Sequence, residues 1–169
     1  MKNILATMLL SMTSFMANAI VIDSSINPDG VDYTYFSINN DSTVHIETMN
    51  ALFDPYMYLF TNDGALDDTD FIALDDDSGT PAHAFSNSLL DIDLMAGNYI
   101  VAVGDFYLDM TEALSGFADN SFSELGGGYQ LDITAQNADI SFDVPEPESL
   151  LLLGIGMLGL FATRRQKNL

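Results

Sequence analysis

Positive charge is missing from almost the whole chain. The four basic residues of the 169-residue sequence are Lys2, Arg164, Arg165 and Lys167, whereas all 25 Asp and Glu residues lie within residues 20–163. That stretch has a formal charge of −25 when its two histidines are neutral, because it contains no Lys or Arg. Its carboxylates must therefore be solvated, protonated, hydrogen-bonded to backbone N–H groups or paired with cations from the medium.

This charge balance excludes nucleic acid as a partner, because Lys and Arg supply the contacts to phosphate. Self-repulsion is expected to destabilise the compact state at low ionic strength, and salt is expected to relieve it. The sequence has no cysteine, which excludes thiol catalysis, thiolate metal sites and c-type haem attachment. A domain of about 125 residues can nevertheless fold without disulfides.

The N-terminus has the three parts of a secretory signal. Lys2 precedes an apolar run at residues 4–16, and small residues follow at Ala17 and Ala19. The run is shorter than the roughly 20 apolar residues of a membrane span. We therefore predict a signal peptide at 1–19, cut after Ala19 by signal peptidase.

The C-terminus has a second apolar segment. Residues 149–163 carry no charge and are followed at once by Arg164, Arg165 and Lys167. At about 1.5 Å per residue a helix over this segment is about 22 Å long, which is short of the roughly 30 Å hydrocarbon core. We predict a marginal transmembrane helix with a basic stop-transfer cluster on the cytoplasmic side, which leaves residues 20–144 outside the cytoplasm.

The middle of the chain has the pattern of β structure. Short alternating or fully apolar segments are separated by turns rich in Gly, Asn and Asp, and residues 104–127 are predicted to be a loop with one weak strand or helical turn. Residues 31–38 and 43–48 are predicted to form a hairpin. The fold class predicted is all-β: an antiparallel, jelly-roll-like β-sandwich of seven to nine strands, flanked by an N-terminal signal helix and a C-terminal apolar helix. The other predicted strands are 56–60, 71–74, 89–94, 99–103, 128–134 and 140–144.

Two Asp-rich turns are the candidate metal site. Asp75, Asp76 and Asp77 follow one predicted strand, and Asp54 precedes another. Ca²⁺ takes six to eight oxygen ligands, which clustered loop carboxylates supply. The spacing does not fit the EF-hand pattern. Two interpretations stay open: these four residues form a Ca²⁺ site, or they cap turns, attract cations loosely and keep the surface soluble.

The sequence shows no catalytic motif, and we predict that the protein is not an enzyme. His45 and His83 have no evident third ligand or nucleophile, and no Gly-x-Ser-x-Gly motif occurs. A carboxylate pair of the glycosidase type stays open among so many aspartates. The main alternative to a structural or adhesive role is a carbohydrate-binding module in which Tyr56, Tyr107 or Phe117 contacts sugar.

The tail closely resembles a PEP-CTERM sorting signal. Pro145, Glu146 and Pro147 are followed by the apolar, glycine-containing segment and by Arg164 and Arg165. This resemblance covers residues 145–169 and implies processing by exosortase, a membrane transpeptidase-like protease, in a Gram-negative bacterium that makes exopolysaccharide. The prolines favour an extended backbone that a protease can bind. An ordinary tail anchor with a Pro-rich linker is the alternative.

The middle of the chain resembles bacterial pre-peptidase C-terminal-type domains over about residues 30–105. The matching segments are 32–38, 54–60, 75–78 and 94–103. The resemblance implies a small non-catalytic β-sandwich, which binds calcium in some members. No peptidase domain accompanies it in this sequence.

These observations divide the chain into a signal peptide (1–19), an acidic domain (20–144) and a sorting tail (145–169). We predict an inner-membrane-anchored precursor that exosortase sorts to the cell surface or extracellular matrix. There the domain is expected to have a structural or adhesive role in an exopolysaccharide or biofilm layer. A secreted hydrolase is the remaining alternative.

Overall fold

The structure is a computed structural model that describes residues 18–80, 87–117 and 125–142. These residues form nine strands, one short α-helix, α1 (Met110–Ser115), and a 3₁₀ turn at Asp68–Asp70. The strands are β1 (Asn18–Ile26), β2 (Asp32–Ile38), β3 (Ser42–Met49), β4 (Pro55–Thr61), β5 (Phe71–Asp75), β6 (Leu89–Leu94), β7 (Gly97–Asp105), β8 (Gly127–Ala135) and β9 (Ile140–Phe142).

The strands form two antiparallel sheets that pack face to face. The first sheet has the order β1-β8-β3-β6, and the second has the order β5-β4-β7-β2-β9. Buried side chains of both sheets form one core, which includes Val44 and Leu131 from the first sheet and Met57 and Val101 from the second. The predicted all-β, antiparallel class is confirmed.

Alternation in the sequence explains which side chains enter this core. In β8 the side chains of Tyr129, Leu131 and Ile133 are buried, and those between them are half-buried. Successive side chains of a strand point to opposite faces, so this pattern gives β8 one apolar face. In β7, by contrast, every residue from Tyr99 to Asp105 is buried, because the outer face of the second sheet is also covered.

A second apolar cluster provides this cover. It contains Tyr58, Phe60 and Ile100 from the strands, packed with Leu108 and with Ala113 of α1. The helix begins at Asp109 with a capping box, in which the Asp109 side chain accepts from the Glu112 N–H and the Glu112 side chain accepts from the Asp109 N–H. The predicted helical turn within 104–127 is α1.

The predicted hairpin of 31–38 with 43–48 is wrong. β2 pairs with β7 and β9 in the second sheet, and β3 pairs with β6 and β8 in the first. The short turn between β2 and β3 therefore crosses from one sheet to the other. Both strands bury one face in the common core, so their alternation is the same as that of a hairpin.

The sandwich has two ends. We call the end where β1 begins the entry end, and the end toward which β9 is directed the exit end. At the entry end lie Asn18, where β1 begins, and the turns 39–41, 95–96 and 136–139. At the exit end lie the loops 27–31, 50–54 and 106–109. Strand β9 runs antiparallel to β2, so the chain is heading for the exit end at Phe142.

Several predicted features lie outside the described residues. They are the signal helix before residue 18, Ala17, the apolar helix 149–163, the motif Pro145, Glu146 and Pro147, and the basic residues Arg164, Arg165 and Lys167. Within the described ranges, no helix has the length and hydropathy needed to cross a membrane.

Candidate functional site

Three carboxylates meet at the exit end of the second sheet. One carboxylate oxygen each from Asp54, Asp76 and Asp77 lies within 4.8 Å of the others. Asp54 immediately precedes β4, and Asp76 and Asp77 follow the end of β5. Because β4 and β5 are antiparallel neighbours, the start of one strand lies beside the end of the other.

The backbone of this acidic cluster (Asp54, Asp76 and Asp77) is held by buried hydrogen bonds. The hydroxyl of the fully buried Ser88 lies 2.6 Å from the carbonyl of Pro55 and 3.0 Å from that of Asp76, and it shares its one donated proton between them. The Phe106 N–H donates to the Asp54 carbonyl (2.8 Å). These bonds fix the backbone at Asp54, Pro55 and Asp76 independently of any ligand.

Asp75, the fourth predicted ligand, does not join the acidic cluster. Its Oδ2 accepts hydrogen bonds from the N–H groups of Ser78 (3.0 Å) and Leu89 (2.8 Å). Its carboxylate therefore stabilises the turn after β5. The structure places one of the four predicted ligands in a turn-stabilising position and brings the other three together.

The acidic cluster is electrostatically unfavourable when all three groups are ionised. Burial, followed by the charges of Asp77, Asp54 and Asp75, raises the pKa of Asp76 to about 6. Burial and the charges of Asp77 and Asp105 also raise the pKa of Asp54. Oδ1 of Asp54 and Oδ1 of Asp76 are buried without a hydrogen-bond partner among the described residues. Leaving buried polar atoms unpaired costs stability.

This arrangement predicts an unusual dependence of stability on pH. The pKa of Asp76 is higher in the folded state, about 6, than the ordinary aspartate value of 3.8, so the folded state binds the proton more tightly. The resulting stabilisation is present below pH 3.8 and is lost as the pH rises through about 6. In EDTA, the melting temperature of residues 20–144 is therefore expected to rise when the pH is lowered from about 7 to about 5. Asp76→Asn should reduce this rise, and an unchanged pH profile in that variant would contradict the assignment.

The chemistry of the acidic cluster fits a hard divalent cation. Ca²⁺ binds carboxylate oxygens, often in flexible geometry, and completes its shell with carbonyl groups and water. The two unpartnered oxygens and the mutual repulsion are both relieved by a cation bound among the three groups. The three carboxylates would repel an anion.

Two of the predicted sugar-contacting aromatics lie beside the acidic cluster. The rings of Tyr56 and Tyr107 are 5.7 Å apart between centroids in an edge-to-face arrangement, and Tyr107 is 44 % exposed. The charges of Asp76 and Asp75 contribute, after burial, to the raised pKa of the Tyr56 hydroxyl. Phe117 is exposed elsewhere at the exit end, where it forms a β-bridge with Gly30.

These rings continue into an aromatic array along the outer face of the second sheet. Tyr56 contacts Tyr58, which contacts Phe60 and Phe71. Tyr58 and Phe60 are buried, whereas Phe71 is exposed. The solvent-accessible aromatic surface next to the acidic cluster is therefore the Tyr56–Tyr107 pair.

Ser88 and Asp105 also belong to this region, although they were not predicted from the sequence. Asp105 is buried, its Oδ2 accepts from the Leu125 N–H (2.8 Å), and its charge acts on Asp54. Its position follows from the pairing of Pro55 with Asp105 across β4 and β7. An Asp at the end of a fully apolar run was the only available signal.

His45 has a different environment, on the outer face of the first sheet. Its Nδ1 is 2.8 Å from Asp91 Oδ1, and its Nε2 is 3.5 Å from Glu47 Oε2. His83 lies outside the described residues. Glu47, on the same face, is buried, and its Oε1 accepts from the N–H of Thr80 in the segment after β5 (2.7 Å).

The comparisons with known proteins identify the tail. Residues 143–166 match the family model of the PEP-CTERM protein-sorting motif. No curated protein matches the chain significantly. One matching solved structure is the pre-peptidase C-terminal domain of collagenase from Bacillus anthracis, at 16% identity and a TM-score of 0.46, covering 68% of this chain and 87% of that one. This is the type of domain that residues 30–105 resemble.

The predicted sorting signal is confirmed by the match. The motif includes Pro145, Glu146, Pro147, Arg164 and Arg165, and it marks the chain as an exported, exosortase-targeted protein with a membrane-anchored precursor. The motif begins at residue 143, immediately after β9 ends at Phe142. The sorting tail and the sandwich are thus adjacent in sequence.

Proposed function

We propose that this chain is a non-enzymatic protein of the cell surface or extracellular matrix, with a structural or adhesive role in an exopolysaccharide or biofilm layer. The observation that carries the proposal is the sorting motif at 143–166 directly behind an acidic sandwich. In this proposal residues 1–19 are the signal peptide, 20–144 the mature domain and 145–169 the sorting tail.

The proposed route begins with export and ends with processing at the tail. Signal peptidase recognises Ala17 and Ala19, and the apolar helix 149–163 then holds the chain in the inner membrane. Arg164, Arg165 and Lys167 keep the C-terminus in the cytoplasm. Exosortase acts at Pro145–Pro147 and passes the domain to the surface.

The experiment follows a C-terminal epitope tag on the full chain in cells that make exosortase and in matched cells that lack it. Loss of the tag and appearance of the domain outside the cell only when exosortase is present would support the route. Equal processing in both strains would refute it and would favour an ordinary tail anchor.

We interpret the strand order as a jelly roll with one added strand. Strands 1, 8, 3 and 6 form one sheet, and strands 2, 7, 4 and 5 form the other, so successive strands repeatedly change sheets. The ninth strand extends the second sheet beside β2. In this interpretation the sandwich supplies a stable support, and the loops at its ends supply contacts.

Ca²⁺ binding by the acidic cluster is the second part of the proposal. The three converging carboxylates and the two unpartnered buried oxygens support it. A cation there could bridge the domain to acidic groups of a polysaccharide. In such a matrix the negative charge of the domain would otherwise oppose association.

The Ca²⁺ proposal is tested by thermal melts of residues 20–144 with Ca²⁺, with Mg²⁺ and with NaCl at matched ionic strength. Ca²⁺ is expected to raise the melting temperature saturably, by an amount equivalent to about 2–3 kcal/mol at roughly 100 times its Kd. Asp76→Asn should abolish the Ca²⁺-specific rise. Asp68→Asn, an exposed Asp outside the acidic cluster, is the matched control and should retain it. Equal stabilisation by all three salts would mean charge screening only.

Carbohydrate binding is a second candidate function, favoured by the contact between Tyr56 and Tyr107 beside the acidic cluster. A sugar ring could stack on the exposed Tyr107 while the cation binds its hydroxyl or carboxylate oxygens. In affinity electrophoresis through gels containing the exopolysaccharide of the producing strain, Tyr107→Ala should weaken binding by about tenfold, as loss of an aromatic contact predicts. Phe117→Ala is the control, and equal loss in both variants would contradict a site at the tyrosine pair.

The groove at the entry end gives little support to the alternative of a hydrolase. This groove of about 370 Å³ is lined by Asp41, Ser42, Thr43, Asp93 and Asn137, among others. The Ser42 hydroxyl donates to the Thr43 carbonyl and accepts from the Asn137 N–H, both at 3.0 Å. Its partners are therefore backbone groups, whereas an activated serine needs a side-chain base.

A further inference from the structure

The geometry points to one end of the sandwich as a membrane-contacting surface: we propose that, in the tail-anchored precursor, the exit end rests on the outer leaflet of the anchoring membrane. The contact surface consists of Leu52, Tyr107, Phe117 and Leu125. This inference rests on the proposed tail anchor and adds the orientation of the domain and its lipid partner.

The first argument is the direction in which the chain leaves the fold. β9 ends at Phe142, which pairs with Phe36, and β2 continues four residues farther toward the exit end, to Asp32. At about 3.3 Å per residue, the chain leaves β9 roughly 13 Å short of the exit end and is directed toward it.

The second argument is the reach of the tail. Six residues, 143–148, separate Phe142 from the predicted membrane helix at 149–163. Fully extended, they span about 20 Å. The helix can therefore start only some 7 Å beyond the exit end, which leaves little room between the sandwich and the lipid headgroups.

The same limit opposes the reverse orientation. A chain reversal uses about four residues, which leaves two residues, or about 7 Å, to run back toward the entry end. That distance only returns the chain to the level of Ile140, the first residue of β9. A membrane at that level would intersect the turns of the entry end.

The third argument is the unequal distribution of exposed apolar side chains. Leu52 (69 % exposed), Phe117 (59 %), Tyr107 and Leu125 all lie on loops of the exit end, whereas Met95 and Phe71, the first residue of β5, are the large exposed apolar side chains at the entry end within the described residues. Leu125 is placed there by its hydrogen bond to Asp105. Leucine and aromatic side chains on a common surface are typical of proteins that contact the membrane interface.

The experiment uses the absence of tryptophan from the sequence. The full chain is produced in cells lacking exosortase, purified and placed in phosphatidylcholine vesicles whose acyl chains carry bromine, which quenches nearby tryptophan. Leu52→Trp and Phe117→Trp report on the exit end, and Met95→Trp reports on the entry end. All three positions are exposed, and circular dichroism verifies that each variant keeps its β structure.

Leu52→Trp and Phe117→Trp are expected to lose roughly half of their emission in brominated relative to unbrominated vesicles, as residues at the interface should. Met95→Trp should lose none. Equal quenching at both ends, stronger quenching of Met95→Trp, or no quenching in vesicle-bound chain would overturn the orientation alone. A chain that does not float with the vesicles would overturn the tail anchor of the proposed function and the orientation with it.

Discussion

A chain in which Pro145 and Pro147 are both replaced by alanine is expected to remain an uncut, membrane-retained precursor. Two prolines within three residues exclude helix and ladder pairing at the motif, so the backbone stays accessible to a protease. Alanine favours continuation of the following helix into this segment. Processing should fall from complete to undetectable, as followed by the C-terminal tag in cells that make exosortase.

The matched control is Pro28→Ala, because Pro28 lies in an exposed loop of the domain. This variant should be processed like the natural chain. Normal processing of the double variant would show that these prolines are not needed for sorting. Impaired processing of Pro28→Ala would instead point to misfolding of the sandwich.

The second large effect is expected at Phe53. Phe53 is fully buried, and its ring contacts that of Tyr129 edge to face, with 5.8 Å between centroids. Phe53→Ala should lower the free energy of unfolding of residues 20–144 by about 3–5 kcal/mol, through lost burial and the cavity that remains. Urea denaturation gives this value, and the slope should not change if the unfolded state is unaffected.

The adjacent Leu52 provides the control, because its side chain is 69 % exposed. Leu52→Ala should change the free energy of unfolding by no more than about 0.5 kcal/mol. Phe53 also precedes Asp54, so its loss should weaken any Ca²⁺-dependent rise in melting temperature. A stable Phe53→Ala variant would show that the loop 50–54 is not anchored by this ring.

Much of the fold could be predicted because its strands follow simple hydrophobic patterns. The alternation of Val44 with Ile46, and of Leu131 with Ile133, identified strands and their buried faces, and all four side chains are fully buried. The fully apolar run at 99–103 identified a strand covered on both faces. These patterns depend on each strand alone.

The errors concern features that depend on pairing between distant segments. The turn between Ile38 and Ser42 was interpreted as a hairpin, because sequence alternation does not distinguish a return within one sheet from a crossing to the other. Strand β1 was not predicted for two reasons. Its first two residues belong to the predicted signal peptide, and the polar Ser24 interrupts the alternation of apolar residues along the strand. It is stabilised by pairing with β8, more than 100 residues later.

The candidate site likewise combines features that a local sequence pattern shows with features that depend on strand pairing. The adjacency of Asp75, Asp76 and Asp77 was visible in the sequence, and so was Asp54 in front of the candidate strand 56–60. Which carboxylates converge was not visible, because it depends on the register of β4 with β5 and β7. That register brings Asp105 toward Asp54, while hydrogen bonds from Ser78 and Leu89 occupy Asp75.

The start of β1 has a consequence for the order in which the protein matures. Asn18 and Ala19 pair with Ala135 and Thr134, and Ile20 pairs with Ile133. If signal peptidase cuts after Ala19, the bond that it cuts lies inside β1 of the uncut chain. A peptidase needs that backbone unpaired, so the start of β1 can pair with β8 only after the leader has been removed. A domain that folded completely before cleavage would conceal its own cleavage site, and the last strand pairing of the first sheet would then mark a chain already released from its leader.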